Sequence, residues 1–291
     1  MSAEKVSGDV LIGVDLGGTS VTVGRVSSGF VEDRHDSRIT AEGSEEEVLQ
    51  EVINAIATVF DGEIAGIGCG VPGVVDVDTG VVFDLENIPS WKRVPLQGRL
   101  QERFGVPAFV NNDANAFALG EHTFGKGRGY DNMVGITLGT GMGTGVIIRG
   151  RLHSGSNCGV GEIGSIPHKG LTVEDFCSGR FFQRIGGESG GSVYGRARSG
   201  DEDAIGLFEQ FGFEFAHAIM VALYAYDPDA IILGGSISAA FDLFQASMWK
   251  GLEAFDYPHV LERLFLAPSE LDDAAVLGAA ALYLGASNRG V

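Results

Sequence analysis

Residues 10–14, with the sequence VLIGV, form a short apolar run that ends in Asp15 and leads, after Leu16, into Gly17-Gly18-Thr19-Ser20. Alternating apolar residues follow at Val21, Val23 and Val26. Glycines between two apolar runs are typical of a tight turn, so the pattern predicts a strand, a glycine turn and a second strand. Because glycine lets the backbone approach a ligand and point N–H groups at it, the turn is also a candidate phosphate loop.

The same pattern returns about half a chain later. Apolar residues 134–138 are followed by the glycine-rich stretch 139–145 (GTGMGTG) and by a further apolar run, 146–148. Such a recurrence indicates two related halves and predicts a duplicated α/β fold. Two glycine loops that face each other would bracket a polyphosphate. For either loop taken alone, a tight hairpin without a ligand is the alternative interpretation.

The composition narrows the class of protein. The chain has 291 residues, 44% hydrophobic and 20% charged, which is enough apolar side chain for a folded core. Its net charge of −19 disfavours nucleic acid and anionic membranes as partners, and it leaves a halophilic origin open. The three cysteines form no CxxC pair, and we find neither a membrane-spanning run nor a signal-peptide pattern. We therefore expect a cytoplasmic protein.

Helix and strand patterns connect the two loops. Apolar residues at helical spacing predict helices over residues 45–60, 114–121, 205–226 and about 273–284. Short apolar runs bounded by turn residues predict strands over residues 64–71, 108–110 and 230–233. Motif placement alone divides the chain into an N-terminal domain of residues 1–115, completed by the C-terminal helix 273–291, and a C-terminal domain of residues 116–272.

Two familiar phosphate-binding motifs are missing from the sequence. It contains no GxxxxGK[ST], and neither glycine turn opens a helix as a dinucleotide-binding fold requires. In both places the chain is predicted to return as a strand. The loops therefore indicate a different class of phosphate-binding protein.

Several motifs, in a fixed order, resemble a known family. Stretches similar to the two phosphate loops and the adenosine motif of the actin and sugar-kinase superfamily are 13–19 (GVDLGGT), 135–141 (GITLGTG) and 229–236 (DAIILGGS). Motifs that resemble the ROK family of bacterial sugar kinases are 71–73 (VPG), 87–89 (NIP), 110–115 (VNNDAN) and 161–164 (GEIG). The resemblance implies two ribonuclease-H-like (actin-like ATPase) α/β domains with a ligand cleft between them.

The resemblance also implies an activity. It indicates ATP-dependent, Mg²⁺-assisted phosphorylation of a hexose, with glucose as the leading substrate. Such a transfer needs a carboxylate to activate the acceptor hydroxyl, and Asp113 is the expected general base. A helix N-cap or Asx turn is the alternative role for Asp113.

Other functions stay open at this point. Fructose, mannose, N-acetylmannosamine, N-acetylglucosamine and allose are alternative substrates. A non-catalytic sugar-binding or regulatory ROK protein is an alternative of another class. A DNA-binding repressor is disfavoured, because only about ten residues precede the first predicted strand and the net charge is −19.

The resemblance assigns further residues to the site. The expected sugar contacts are Gly73, Asn87, Asn112, Asp113, Glu162 and Glu174. The expected nucleotide contacts are Asp15, Gly17, Gly18, Thr19, Ser20, Thr140, Gly141, Gly234 and Gly235. Asp15 is expected to orient Mg²⁺ through water. Purely structural roles are the alternatives: a turn residue for Asp15 and Asn87, a solvated loop carboxylate for Glu162, and a first-turn helix acid for Glu174.

The sequence departs from the family pattern just after the GEIG motif. Many members have a His and then a cysteine segment that binds structural zinc, whereas this chain has Ser165 and the shorter stretch 166–173. Cys158, His168 and Cys177 are scattered rather than closely paired, so no zinc is expected. The two cysteines are expected to be small buried groups, and His168 an exposed loop residue.

Two further expectations concern the phosphate site and assembly. Ser20 stands where many family members have Lys, which leaves Thr19 and the backbone to hold that end of the phosphate site. The resemblance implies a homodimer, although no isolated apolar stripe marks an interface. The phenylalanines at 181–182 and 208–215 belong either to such an interface or to the core.

Overall fold

A computed structural model of the chain describes residues 8–155 and 158–287. The strands of its first half are β1 (Val10–Leu16), β2 (Ser20–Ser27), β3 (Phe30–Arg38), β4 (Ile64–Val71), β5 (Val74–Asp76), β6 (Val81–Phe83), β7 (Arg93–Val94) and β8 (Ala108–Asn112). Those of its second half are β9 (Met133–Leu138), β10 (Met142–Ile148), β11 (Arg151–Leu152), β12 (Pro167–His168), β13 (Leu171–Thr172), β14 (Ala230–Gly234) and β15 (Phe265–Pro268).

Helices cover the sheets and connect their strands. They are α1 (Glu45–Val59), α2 (Leu96–Phe104), α3 (Asp113–Thr123), α4 (Glu174–Cys177), α5 (Gly179–Gly186), α6 (Gly190–Arg198), α7 (Glu202–Tyr226), α8 (Phe241–Leu252), α9 (Pro258–Leu261) and α10 (Ala274–Ser287). Two short 3-10 helices, Glu162–Ser165 and Ser236–Ala240, lie beside the glycine-rich segments of the second half.

Within the described residues, two five-stranded sheets carry the fold. The first has the order β3-β2-β1-β4-β8 and the second the order β11-β10-β9-β14-β15. In both sheets the first three strands along the chain pair antiparallel, and the other two join in parallel. The repeated order and direction confirm the predicted duplicated α/β fold.

Helix starts follow local capping. Helix α1 begins at Glu45 as predicted, because the Ser44 hydroxyl accepts from the Glu47 N–H while the Glu47 carboxylate accepts from the Ser44 N–H at 2.8 Å. Helix α7 begins three residues before the predicted Ile205. The reason is its cap, since the Asp201 carboxylate accepts from the Ala204 N–H at 3.0 Å.

Helix α10 packs tightly on the first sheet. A side chain at Gly13 would overlap the carbonyl oxygen of Val276, and one at Gly68 would overlap that of Ala279. Glycines in β1 and β4 therefore let the helix backbone lie directly on the strands. The predicted N-terminal domain is completed by the C-terminal helix, and that prediction requires such packing. The boundary itself stays a prediction, because residue 116 falls inside α3, which packs against strands of both sheets.

The second half buries a cluster of phenylalanines around α7. Phe181, Phe182, Phe208, Phe211 and Phe215 are each at most 1% exposed, so these residues belong to the core. Helix α7 is the longest of the described helices at 25 residues. Across the described ranges, neither it nor another helix combines the length and the apolarity needed to cross a bilayer.

Candidate active site

The junction between β8 and α3 carries the expected general base. The Asn112 side-chain oxygen accepts from the N–H groups of Ala114 at 2.9 Å and Asn115 at 3.3 Å, so Asn112 is the N-cap. Asp113 is consequently the first residue of α3, one position earlier than predicted, and the capping alternative for it is wrong. Its carboxylate also accepts from the Ala114 N–H at 2.8 Å, while the side chain stays open to solvent.

Three carboxylates interact at this junction. Asp113 keeps part of its surface open to solvent, yet the protein packed around its carboxyl group removes much of its hydration. With the negative charges of Asp15 and Glu162 this raises the pKa of Asp113 to about 6, against the opposing effect of the Ala114 N–H. Burial also raises the pKa of Asp15, which the positive charge of Arg34 opposes. At pH 7 Asp113 is therefore ionised and still basic enough to accept a proton from a hydroxyl group.

Three of the expected sugar contacts, Gly73, Asn87 and Asn112, lie beside this junction or the first glycine turn. The Asn112 side-chain amide donates to the carbonyl oxygen of Gly73 at 3.3 Å. A side chain at Gly73 would come within 2.5 Å of Leu85. Asn87 lies against the first glycine turn, since a Cβ at Gly18 would be 2.5 Å from the Cβ of Asn87. The structure therefore joins Asn112 to Gly73 and Asn87 to the first loop.

The first glycine turn is a β-hairpin, as predicted. The Gly17 N–H donates to the Ser20 carbonyl oxygen at 2.8 Å, and the Thr19 carbonyl oxygen accepts from Ile39 N–H at 3.1 Å. The side chains of Thr19 and Ser20 are exposed, and Asp15 is half-buried in the strand that enters the turn. The turn therefore presents exposed hydroxyl groups near an acidic side chain.

Glu174 lies against the second glycine turn. Its carboxylate accepts from the Met142 N–H at 2.8 Å and pairs with Arg180 at 2.7 Å. A side chain at Gly141 would overlap the same carboxylate. Glu174 is the first residue of α4, as the helix-acid alternative expects. Its contact with a sugar stays a prediction.

A cavity of about 450 Å³ opens beside the second turn, a volume within the usual range for small-molecule sites. Its lining residues come from the β9–β10 turn, α5, α6, α7 and the 3-10 helix Ser236–Ala240, all in the second half of the chain. Of the expected nucleotide contacts, Thr140 lines the cavity, and Gly234 and Gly235 come directly before Ser236, which lines it. None of the lining residues belongs to the first glycine turn.

Arg180, Gln183 and Tyr194 also line this cavity, and no sequence motif marked them as site residues. Helix α5 reaches the second turn because the Ser178 hydroxyl, at its N-cap, donates to the Thr140 carbonyl oxygen at 3.1 Å. The only local signal was Ser178, a good N-cap residue just before the helix. The lining residues are separated by tens of positions along the chain, so only the fold brings them together.

Residues 166–173 form a hairpin instead of a cysteine-rich segment. The prediction that His168 is exposed is wrong: its side chain is 14% exposed, because the hairpin folds onto α7 and the ring stacks on His217 at a centroid distance of 4.0 Å. Cys158 and Cys177 are buried, as predicted. In the part of the chain that the structure describes, no group of three or more His, Cys, Asp or Glu residues is arranged to hold a metal ion.

Comparison with known proteins gives matches along almost the whole chain. The model of the ROK family matches residues 11–286. A glucokinase of Thermotoga maritima is 33% identical over 94% of this chain and 96% of its own length. An N-acetyl-D-glucosamine kinase of Haemophilus influenzae is 28% identical over 94% of this chain and 98% of its own. A solved ROK family glucokinase from Streptomyces griseus, in complex with glucose and AMPPNP, superposes with a TM-score of 0.78 at 27% identity, covering 94% of this chain and 98% of that one.

Proposed function

The chain belongs to the ROK family, and from this premise we propose that it is a sugar kinase that transfers the γ-phosphoryl group of ATP to glucose. The observation that carries the proposal is Asp113, an ionised carboxylate with a raised pKa at the start of α3 and open to solvent. The similarity to glucokinases supports glucose. The similarity to an N-acetyl-D-glucosamine kinase favours that sugar as the second candidate.

The proposed roles on the sugar side follow from hydrogen-bonding capacity. Asp113 accepts the proton of the attacking hydroxyl as that oxygen bonds to the γ-phosphorus, while the bond from this phosphorus to the β–γ bridging oxygen breaks and ADP leaves. Asn87, Asn112 and Glu162 hold other hydroxyls of the sugar, and Gly73 lets the backbone approach the ring. When a bound sugar covers these side chains, a polar group left unpaired costs about 1–3 kcal/mol, so they would reject analogues that lack a hydroxyl.

The residues of the first turn suit a magnesium ion. Carboxylate oxygen is the ligand type that Mg²⁺ prefers in proteins, and the mutual repulsion between Asp15 and Asp113 would be relieved by a cation. We therefore propose that Asp15 orients Mg²⁺ through water. When bound, Mg²⁺ neutralises charge on the phosphates.

The proposed ATP site joins the two glycine turns. Gly17, Gly18, Thr19 and Ser20 hold phosphate oxygens on one side, and Thr140 and Gly141 hold them on the other. The cavity beside Thr140 receives the adenosine. Gly234 and Gly235 bring the chain to its edge, and Gly235, with φ of 79°, leaves no room for a side chain next to the Leu138 backbone.

We further propose a homodimer in the reducing cytoplasm. The three cysteines are free and buried, which suits that compartment. Size-exclusion chromatography with light scattering would give the mass of a dimer of this 30.6 kDa chain. A monomer at micromolar concentration would contradict the dimer.

A coupled assay of ADP release tests the choice of substrate. The rate is measured with ATP and Mg²⁺, at low and molar salt, for each of six sugars: glucose, N-acetylglucosamine, N-acetylmannosamine, mannose, fructose and allose. We expect saturable turnover, with the highest kcat/KM for glucose. A higher kcat/KM for N-acetylglucosamine would keep the kinase and replace the substrate. The absence of turnover on all six sugars would contradict the proposal.

A pH profile tests the protonation state of Asp113. Below a pKa of about 6 the carboxyl group is protonated and cannot accept a proton, so kcat/KM should fall about tenfold per pH unit there and be level near pH 7. Glu162→Gln removes a negative charge that raises this pKa, so the fall of kcat/KM on the acidic side of the profile should move to lower pH. If that fall stayed at the same pH in this variant, the result would contradict its assignment to Asp113.

A further inference from the structure

The hairpin of residues 166–173 connects two candidate site carboxylates. The 3-10 helix that begins with Glu162 enters it, and helix α4, which begins with Glu174, leaves it. A hydrogen bond of 2.9 Å from the Val173 N–H to the Ile166 carbonyl oxygen closes the hairpin. Its strands β12 and β13 are only two residues long, so pairing between them is too weak to fix its place.

An ion pair attaches the tip of the hairpin to α7. The Lys169 ammonium lies 2.8 and 2.7 Å from the two carboxylate oxygens of Glu214. Lys169 has a φ of 48° and Gly170 a φ of 82°, the backbone of a tight two-residue turn. The Glu214 side chain is 17% exposed but that of Lys169 is 53% exposed, so water screens the pair from the lysine side. The ion pair by itself therefore makes only a modest contribution, of the size found for surface ion pairs.

Two rings and a thiol complete the attachment. His168 stacks on His217 with centroids 4.0 Å apart and planes at 18°, and it also meets the edge of Phe176 at 5.1 Å. Its Nε2 lies 3.7 Å from a carboxylate oxygen of Glu214. The Cys177 thiol donates to the carbonyl oxygen of Glu214 at 3.3 Å. Glu214 and His217 are three residues apart and so lie on one face of α7.

Helix α7 also holds the chain just before Glu162, at the other end of the stretch that contains the hairpin. The Gly161 N–H, directly before Glu162, donates to the Tyr226 hydroxyl near the end of α7 at 3.1 Å. Helix α7 is anchored in the core by buried phenylalanines, so it provides a rigid support. We refer to the contacts of His168 and Lys169 with Glu214 and His217 as the α7 clip.

We propose that the α7 clip positions Glu162 and Glu174 for substrate binding, with Lys169, His168, Glu214 and His217 as positioning residues outside the site. The inference rests on the proposed sugar-kinase function for the use of those two carboxylates. It gives a role to the stretch in which the sequence departs from the family pattern, and it predicts a loss of sugar affinity when contacts distant from the sugar are broken.

Glu214→Gln tests the clip because it keeps the side-chain shape and removes the charge that faces Lys169. Amide hydrogen exchange over residues 161–174 should become faster in this variant. The KM for the sugar should rise about fivefold, with kcat within about twofold of the starting protein. Lys169→Met should behave in the same way, and Lys169→Arg, which keeps the ion pair, should retain most of the affinity.

A variant that lacks both site carboxylates separates positioning from general loosening. In a Glu162→Gln, Glu174→Gln background the Glu214 change should alter the sugar KM by less than about twofold, because both groups that it acts through are gone. Glu46→Gln is the matched control, since Glu46 meets Arg99 with both oxygens at 2.8 and 3.0 Å on the surface of the first half. We expect normal exchange over residues 161–174 and normal kinetics in that control.

Three results would overturn the α7 clip. The first is unchanged exchange over residues 161–174 in Glu214→Gln. The second is faster exchange with an unchanged sugar KM, and the third is a full fivefold effect that persists in the Glu162→Gln, Glu174→Gln background. Exchange does not depend on turnover, so a protein that phosphorylates no sugar would refute the proposed function while the exchange result still decides whether the clip holds the segment.

Discussion

Asp113→Asn lowers kcat about 10³-fold, within the range expected for the loss of a general base, and leaves sugar binding nearly intact. Asparagine keeps the shape and the hydrogen-bonding side chain at the start of α3 but cannot take the proton of the attacking hydroxyl. The Asn112 cap is unchanged, so the helix should begin at the same residue. Coupled ADP release gives kcat, and isothermal titration with the sugar gives the dissociation constant.

Asp78→Asn is the control for this change. Asp78 is an exposed aspartate between β5 and β6, outside the proposed site, and its replacement should leave kcat unchanged. If Asp113→Asn kept kcat within tenfold of the starting protein, Asp113 would not be the general base. If sugar binding were lost together with turnover, Asp113 would act mainly in binding.

Gly68→Ala should lower the free energy of unfolding by about 3 kcal/mol or prevent folding, at the upper end of what overpacking costs. The new methyl group would overlap the carbonyl oxygen of Ala279 and approach the Cα of Ala280. Both are backbone atoms of α10, which cannot rotate away as a side chain can. Urea denaturation followed by circular dichroism measures the change.

Gly98→Ala is the matched change at an open position. Gly98 lies inside α2, and a Cβ added there would have no heavy atom within 4 Å, so Ala should raise stability by up to about 1 kcal/mol through its better helix propensity. A Gly68→Ala protein as stable as the starting protein would contradict the direct packing of α10 on the first sheet.

The parts of the fold that the sequence predicts are those with strong local signals. The apolar run before Gly17-Gly18 and its counterpart before residue 139 predict both hairpins, and the helical spacing of apolar residues over 45–60 predicts the start of α1. Asp113 is also found at a strand end that leads into a helix, as expected from short-range pattern alone. These features depend on neighbours within a few residues, which is why one sequence is enough to place them.

The remaining features depend on contacts between distant residues. His168 lies in a polar, glycine-containing stretch that is typical of an exposed loop, and only its stack on His217 of α7 buries it. Arg180 reaches both the cavity and Glu174 because α5 is fixed to the second turn through Ser178. No periodicity or local motif encodes such pairings, so the cavity lining and the α7 clip emerge only from the folded chain.

Phosphorus NMR on the protein with ATP, Mg²⁺ and glucose tests the central proposal most directly. We expect the γ-phosphate signal of ATP to be replaced by that of a phosphate ester on the terminal hydroxyl of glucose, and we expect no such ester with Asp113→Asn. Release of inorganic phosphate without any sugar ester, or no loss of ATP with any hexose offered, would contradict it.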